Sequence, residues 1–204
     1  MSFVAFLVDD DRAVLNALSR LLKTTGCETR AYTSPQDFLA AYDSSLPGCI
    51  ILDLSMPGLD GLALQQELAE RRPVPQVIFL TGTGDIARGV QAMKAGAVDF
   101  LTKPVNPAAL LKAVERAGEE DKKTRSAQND KEAFNRLIAR LTPRERQVLD
   151  YVVLGRLNKQ IAATLGTVEK TIKVHRGRVM AKMEVRSVAE LVRLTERAGI
   201  GSAG

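Results

Sequence analysis

The chain has 204 residues, enough for two domains and short for three. At 45% hydrophobic and 26% charged residues it is not a disordered chain, a collagen-like repeat or a disulfide scaffold. The net charge of +5 divides into −4 over residues 1–120 and +9 over residues 121–204, so a basic part suited to an anionic polymer follows an acidic one.

Two cysteines, Cys27 and Cys49, give neither a zinc signature nor a CxxC pair, and both read as reduced and at least partly buried. The longest apolar runs, Cys49 to Leu52 and Val77 to Leu80, are strand-length and too short to span a bilayer. Met1 precedes Ser2 and Phe3 without a basic start, so no secretory signal is expected, and the expected compartment is the cytoplasm.

The first part alternates strand and helix signals. Strands are predicted at 3–8, 28–32, 48–52, 77–80 and 97–101, and helices at 12–24, from Pro35 behind a Ser34 cap, at 61–71, 85–95 and 106–117. Five strands each followed by a helix imply a doubly wound α/β fold, a parallel sheet covered on both faces. Residues 119–125 are nearly all charged and 126–130 polar, which reads as a partly helical linker. Four helical patterns without strands follow, at 143–154, 158–165, 168–183 and 188–198, punctuated by Gly155 and Gly166.

In such sheets ligands bind outside the carboxyl ends of the strands. Those ends carry Asp9, Asp10 and Asp11 after the first strand, Asp53 after the third, Thr81 after the fourth and Lys103 after the fifth. Several carboxylates in one crevice repel unless a cation joins them, and hard oxygen donors suit Mg²⁺. A carboxylate beside that ion can attack a phosphoryl group, with Lys103 and the Thr81 hydroxyl holding its oxygens. Asp11 is better read as the cap of the first helix.

Leu7-Val8-Asp9-Asp10-Asp11, Leu52-Asp53-Leu54-Ser55-Met56-Pro57-Gly58, Leu80-Thr81-Gly82, Met93-Lys94-Ala95-Gly96-Ala97 and Lys103-Pro104 together resemble the receiver domain of two-component response regulators, a flavodoxin-like fold. The resemblance implies that Asp53 accepts a phosphoryl group from a histidine kinase. It implies that Asp9, Asp10, Asp53 and the Ser55 carbonyl bind Mg²⁺, and that Lys103 contacts the phosphoryl group. It makes Thr81 and Phe100 a switch pair, although Phe100 reads equally well as ordinary core. Thr83 stands where close relatives often carry His, which bears on the dephosphorylation rate.

In the basic part, Thr142, Pro143 and Glu145 form a capping-box pattern before an apolar face of Val148, Leu149, Val152 and Val153. A short helix, a Gly166 turn and a longer basic helix form a helix-turn-helix pattern. Projected at about 100° per residue, that helix puts Val168, Ile172, His175, Val179 and Met183 on one side. Lys170, Val174, Gly177 and Ala181 lie opposite, flanked by Lys173 and Arg178. His175 is read as a packing side chain.

Leu141 to Leu149, Asn158 to Ala162, Thr171 to Arg176 and Val179 to Met183 resemble the LuxR/FixJ-type helix-turn-helix of transcription regulators. The resemblance implies that Lys173 and Val174 face base edges of double-stranded DNA, and that Lys170 reaches a base or a phosphate. Lys159, Thr171, Arg176, Arg178 and Lys182 are then phosphate contacts, which fix register without reading sequence.

The order of the two resemblances is that of FixJ-family response regulators. The expected organisation is a receiver at 1–118, a linker at 119–137 and an all-α helix-turn-helix domain at 138–204. The expected function is phosphorylation-controlled homodimerisation and DNA binding, as a transcription activator working with RNA polymerase. Beyond receiving a phosphoryl group and releasing it, no outside substrate and no membrane are expected. Two rivals stand beside it. A metal-dependent phosphatase leaves the basic helices unexplained, and a constitutive DNA-binding protein leaves the acidic crevice unexplained.

Overall fold

The computed structural model describes residues 3–56, 60–82 and 86–199, without the side chain of Ile86, and forms two compact units that divide after Arg125. Pro57, Gly58, Thr83 and Asp85 therefore lie outside the described residues.

The first unit is built on strands β1 (Val4–Val8), β2 (Glu28–Tyr32), β3 (Gly48–Asp53), β4 (Gln76–Thr81) and β5 (Asp99–Thr102). β1 and β3 are buried at every position, as continuous apolar runs in a two-sided parallel sheet should be. β2 and β5 are half-exposed because they are the edges. All neighbours are parallel, in the order β2-β1-β3-β4-β5. The chain leaves β1 for β2 and returns across it to β3, so the switch point lies between β1 and β3. Alternation sends Phe6, Ile50, Leu52 and Phe79 to one face, against α2 (Pro35–Ala41), α3 (Gly61–Leu68) and α4 (Ile86–Lys94). Leu7, Cys49, Ile51 and Leu80 go to the other, against α1 (Arg12–Lys23) and the first half of α5 (Pro107–Ile138). Each fully buried Leu, Ile or Phe contributes about 1.5–3 kcal/mol, which outweighs the short strands' weak local preferences.

The register fixes the site. Val8 pairs with Leu52, Asp53 with Leu80, and Thr81 with Thr102. Asp9, Asp53, Thr81 and Lys103 therefore emerge at one end of neighbouring strands. β5 starts two residues later than its apolar run predicts, because the Ala97 N–H is spent on the Ala92 carbonyl, closing α4.

The charged stretch 119–137 is helical throughout, as part of α5. Gly118 alone does not break it, and pairs such as Glu120–Lys123 and Asp121–Arg125 support it at helical spacing. Residues 119–125 pack with the first unit. Asp121 is 1% exposed, accepts the Gly48 N–H at 3.3 Å and pairs with Arg125 Nε at 2.9 Å. Arg125 also donates to the carbonyls of Ser44, Ser45 and Leu46. Thr124 accepts from Gln76 Nε2 at 3.4 Å. Charges that read as a linker thus hold the roots of β3 and β4.

In the second unit Phe134, from the end of α5, joins the core of α6 (Pro143–Val153), α7 (Asn158–Thr164), α8 (Glu169–Lys182) and α9 (Val188–Arg197). The capping box closes both ways: Glu145 N–H donates to Thr142 Oγ1 at 3.3 Å, and Thr142 N–H to Glu145 Oε2 at 2.9 Å. Gly166, at φ +62°, makes the left-handed turn between α7 and α8. Among the described residues no helix is long and apolar enough to cross a membrane.

Candidate functional site

The carboxylates of Asp9, Asp10 and Asp53 each bring an oxygen within 4.8 Å of the others. Asp9 and Asp53 are buried and Asp10 is exposed. Lys103 Nζ bridges the buried pair, 2.7 Å from Asp9 Oδ2 and 3.0 Å from Asp53 Oδ2. The remaining oxygens accept backbone N–H groups, Asp11 on Asp9 Oδ1 at 2.9 Å and Ser55 on Asp53 Oδ1 at 3.3 Å. Burial pushes the Asp9 carboxyl above its usual range even against the pull of Lys103. Burial works against the Lys103 ammonium too, but its two carboxylate partners hold its pKa up.

Three carboxylates face one ammonium. At an effective dielectric of about 20, two such charges roughly 5 Å apart repel by about 3 kcal/mol. The oxygen-only donor set with an exposed side fits Mg²⁺, which keeps several waters. Asp11 stands outside the cluster as the cap of α1, its carboxylate accepting the Ala13 N–H at 2.7 Å.

Thr81 is buried at the end of β4, and its hydroxyl donates to the Gly82 carbonyl at 3.1 Å. Phe100 is half-buried, with its ring against Gly89 of α4, where an added Cβ would stand 3.1 Å from the ring. Gly61 has a similar steric reason: its Cβ would lie 2.6 Å from the Asp53 carbonyl, so α3 starts directly beneath the acidic residue. Asp60 caps that start, accepting the Leu62 N–H at 2.6 Å. Asp60 and Arg88, which none of the motifs above singles out, form an ion pair of 2.6 Å. An Asp-Gly step before a helix is a legible cap signal, whereas nothing in the sequence around Arg88 announces its partner.

On the helical unit, Lys159, Lys170, Lys173, Val174 and Arg178 are exposed, while Ile172, Val179 and Met183 lie in the core. The helical projection thus separates the two faces of α8, with His175 half-buried between them. Two of the predicted phosphate contacts are engaged inside the fold. Lys182 Nζ lies 2.6 Å from Glu145 Oε2, and Arg176 Nη1 donates to Asn158 Oδ1 at 3.0 Å. The Lys182 ammonium also neutralises a buried carboxylate that the capping box requires. Thr171 is half-buried. A further tie absent from the sequence reading runs from Arg144 to the Leu165 carbonyl at 2.6 Å, joining α6 to the end of α7.

Comparison with known proteins agrees with both halves. The family model for the response regulator receiver domain matches residues 5–115, and that for bacterial regulatory proteins of the luxR family matches residues 139–195. Nodulation protein W of Bradyrhizobium diazoefficiens is 43% identical over 98% of this chain and 88% of its own. Transcriptional regulatory protein FixJ of Azorhizobium caulinodans is 40% identical over 99% of this chain and 96% of its own. Among solved structures, the response regulator StyR aligns with a TM-score of 0.81 at 40% identity, covering 97% of this chain and 100% of its own. Full-length FixJ of B. japonicum aligns with a TM-score of 0.60 at 36% identity, covering 98% and 99%. Receiver domains generally bind Mg²⁺ at an acidic pocket, and the family implies a histidine kinase and DNA as partners. The chain belongs to the response regulators, a receiver domain followed by a LuxR-type DNA-binding domain, and is a regulator of transcription.

Proposed function

We propose that Asp53 is the phosphoacceptor and that its phosphorylation controls dimerisation and DNA binding. The observation that carries this reading is the crevice at the switch point, where two buried carboxylates share one lysine and a third carboxylate lies beside them. Asp9, Asp10, Asp53 and the Ser55 carbonyl would hold Mg²⁺, which neutralises charge on the phosphoryl oxygens. An Asp53 oxygen forms the new P–O bond while the P–N bond of the kinase's phosphohistidine breaks, its electron pair leaving with the imidazole. Lys103 turns from the carboxylates to the phosphoryl oxygens. The Thr81 hydroxyl exchanges the Gly82 carbonyl for a phosphoryl oxygen, and Phe100 moves into the space released. Water attack on phosphorus breaks the Asp53 O–P bond, releases inorganic phosphate and returns the Asp53 carboxylate to its resting state.

The exposed edge of α4, with Val90 at 46% and Met93 at 38% exposure, then pairs with a second copy. Two helical units engage two half-sites, which turns weak binding into strong. Lys173 and Val174 read bases, Lys170 meets a base or phosphate, and Lys159, Thr171, Arg176, Arg178 and Lys182 fix the phosphate register. RNA polymerase is the partner in activation, and the cytoplasm, where bacterial DNA lies, is the site of action. For the organisation we keep a receiver from 1, extended by its helix through 125, and a DNA-binding domain from 138.

Incubation with Mg²⁺ and acetyl phosphate, read by intact mass and sizing beside Asp53→Asn, tests the reading. One phosphoryl group that requires Asp53 and shifts the protein to a dimer is expected. A phosphorylated protein that stays monomeric with and without DNA removes the dimer. Turnover of a generic phosphomonoester that Asp53→Asn loses would favour a phosphatase. Equal DNA affinity of both proteins under phosphorylating conditions would favour a constitutive binder.

A further inference from the structure

Arg88 lies in the first turn of α4 and reaches back to the segment that follows β3. Its Nη1 donates to Ser55 Oγ at 3.1 Å. Its Nη2 donates to the Leu54 carbonyl at 3.3 Å and to Asp60 Oδ2 at 2.6 Å. One guanidinium thus holds the residue after Asp53, the next one, and the cap of α3.

Those atoms bear on the acidic crevice. Ser55 N–H donates to Asp53 Oδ1, and Leu54, fully buried, donates its own N–H to the Leu80 carbonyl at 2.9 Å. Leu54 is therefore held by β4 through the peptide before it and by Arg88 through the peptide after it. An exposed Arg–Asp pair alone contributes little to stability and needs no particular geometry. This one uses the planar fork, spreading donors over a hydroxyl, a carbonyl and a carboxylate, which an ammonium does not reproduce. The next residue, Gly89, lies against the Phe100 ring. The turn of α4 that grips the loop is thus the turn on which Phe100 packs.

We propose that Arg88 is a positioning residue for the acidic crevice, holding Leu54 and Ser55 so that the Ser55 carbonyl is in place for the metal, and tying these residues to α4. The proposal rests on the reading of the crevice as a Mg²⁺ site. Groups that orient ligands from outside typically change metal affinity by about 10-fold or more when removed.

The test is Mg²⁺ binding to the full chain by titration calorimetry, for wild type, Arg88→Met, Arg88→Lys and Asp60→Asn, with urea unfolding alongside. Asp60→Asn keeps the α3 cap, since Asn caps as well as Asp, and weakens only the charge pair. Arg88→Met is expected to weaken Mg²⁺ about 10-fold, with Arg88→Lys recovering only part and Asp60→Asn falling between. Unfolding midpoints should stay close to wild type, because the Arg88 side chain is 33% exposed. Hydrogen exchange across α4 should slow on adding Mg²⁺ in wild type and not in Arg88→Met. Unchanged affinity in Arg88→Met, full recovery by Arg88→Lys, or a loss that follows a fall in fold stability overturns the proposal. A wild-type chain that binds no Mg²⁺ overturns the crevice reading first, and that failure is visible without any variant.

Discussion

Glu145 in the helical unit and Asp9 in the receiver are both buried carboxylates against a lysine, and they behave in opposite ways. In the helical unit Glu145 meets Lys182 at 2.6 Å and the Thr142 N–H at 2.9 Å, and its pKa is held down to about 2, first by the lysine and then by the N–H. In the receiver, Lys103 meets Asp9 at 2.7 Å, yet burial still pushes the Asp9 carboxyl up. Burial weighs first on Asp9 and only after the lysine and the N–H on Glu145, and stoichiometry adds to the difference. Glu145 has a cation to itself, whereas Lys103 is shared by Asp9 and Asp53, with Asp10 close by. A carboxylate with its own cation and a backbone donor is structural, and an excess of carboxylates over cations marks a site completed by another cation. Asp121 is of the first kind, with its own Arg125 and the Gly48 N–H.

The structural kind should break hardest. Arg125→Met strands Asp121, 2% exposed at its side chain, and removes the donor from three carbonyls. We expect a loss of about 3 kcal/mol, read by hydrogen exchange of β3 peptides in urea. Lys182→Met strands Glu145 in the same way, but the lysine is 35% exposed and water replaces part of it, so about 2 kcal/mol is expected at α6. Equal losses at neutral pH and pH 2 would contradict the pairing. Because the folded pKa of Glu145 lies below the unfolded 4.5, its stabilisation is complete above 4.5. It declines as pH falls and is gone below about 2. Glu145→Gln should therefore unfold more easily than wild type at pH 6, and the two curves should converge as pH falls through that window.

The functional kind should respond with the opposite sign. Asp9→Asn removes a charge that burial disfavours while keeping an acceptor for the Asp11 N–H. Without Mg²⁺ we expect the receiver to gain about 1 kcal/mol. Added Mg²⁺ should then stabilise wild type and leave Asp9→Asn unchanged, since only a folded state that binds is stabilised. Loss of stability in Asp9→Asn would place Asp9 with Glu145 and Asp121 instead.

Sequence reasoning reached the first kind of site poorly and the second well, for a physical reason. Asp9, Asp53, Thr81 and Lys103 each follow an apolar strand, and a parallel sheet brings strand ends together whatever the packing. The helices of the second unit were equally legible, because Thr142-Pro143, Gly155 and Gly166 mark their limits locally. Asp121, Thr124 and Arg125 read as part of a partly helical linker, since their partners, Gly48, Gln76 and the 44–46 carbonyls, lie far away in the chain. The pairing of Lys182 with Glu145 is hidden in the same way, since the two belong to different helices. Long-range pairing of charges leaves no periodic trace.

The smallest expected effect contrasts two helix starts in the second unit. α6 begins with a reciprocal capping box, whereas α8 begins at Val168, 65% exposed and without a side-chain cap. Val168 has extended geometry, φ −100° and ψ 151°, which a capping serine adopts without strain. Val168→Ser therefore removes little buried apolar surface and gives the first-turn N–H groups an acceptor. A gain of about 1 kcal/mol is expected, measured as slower exchange of α8 amides. A fully paired carboxylate at α6 and an uncapped valine at α8 would then be two degrees of satisfaction in one fold. An unchanged exchange rate would mean that water already serves those N–H groups as well as a hydroxyl does.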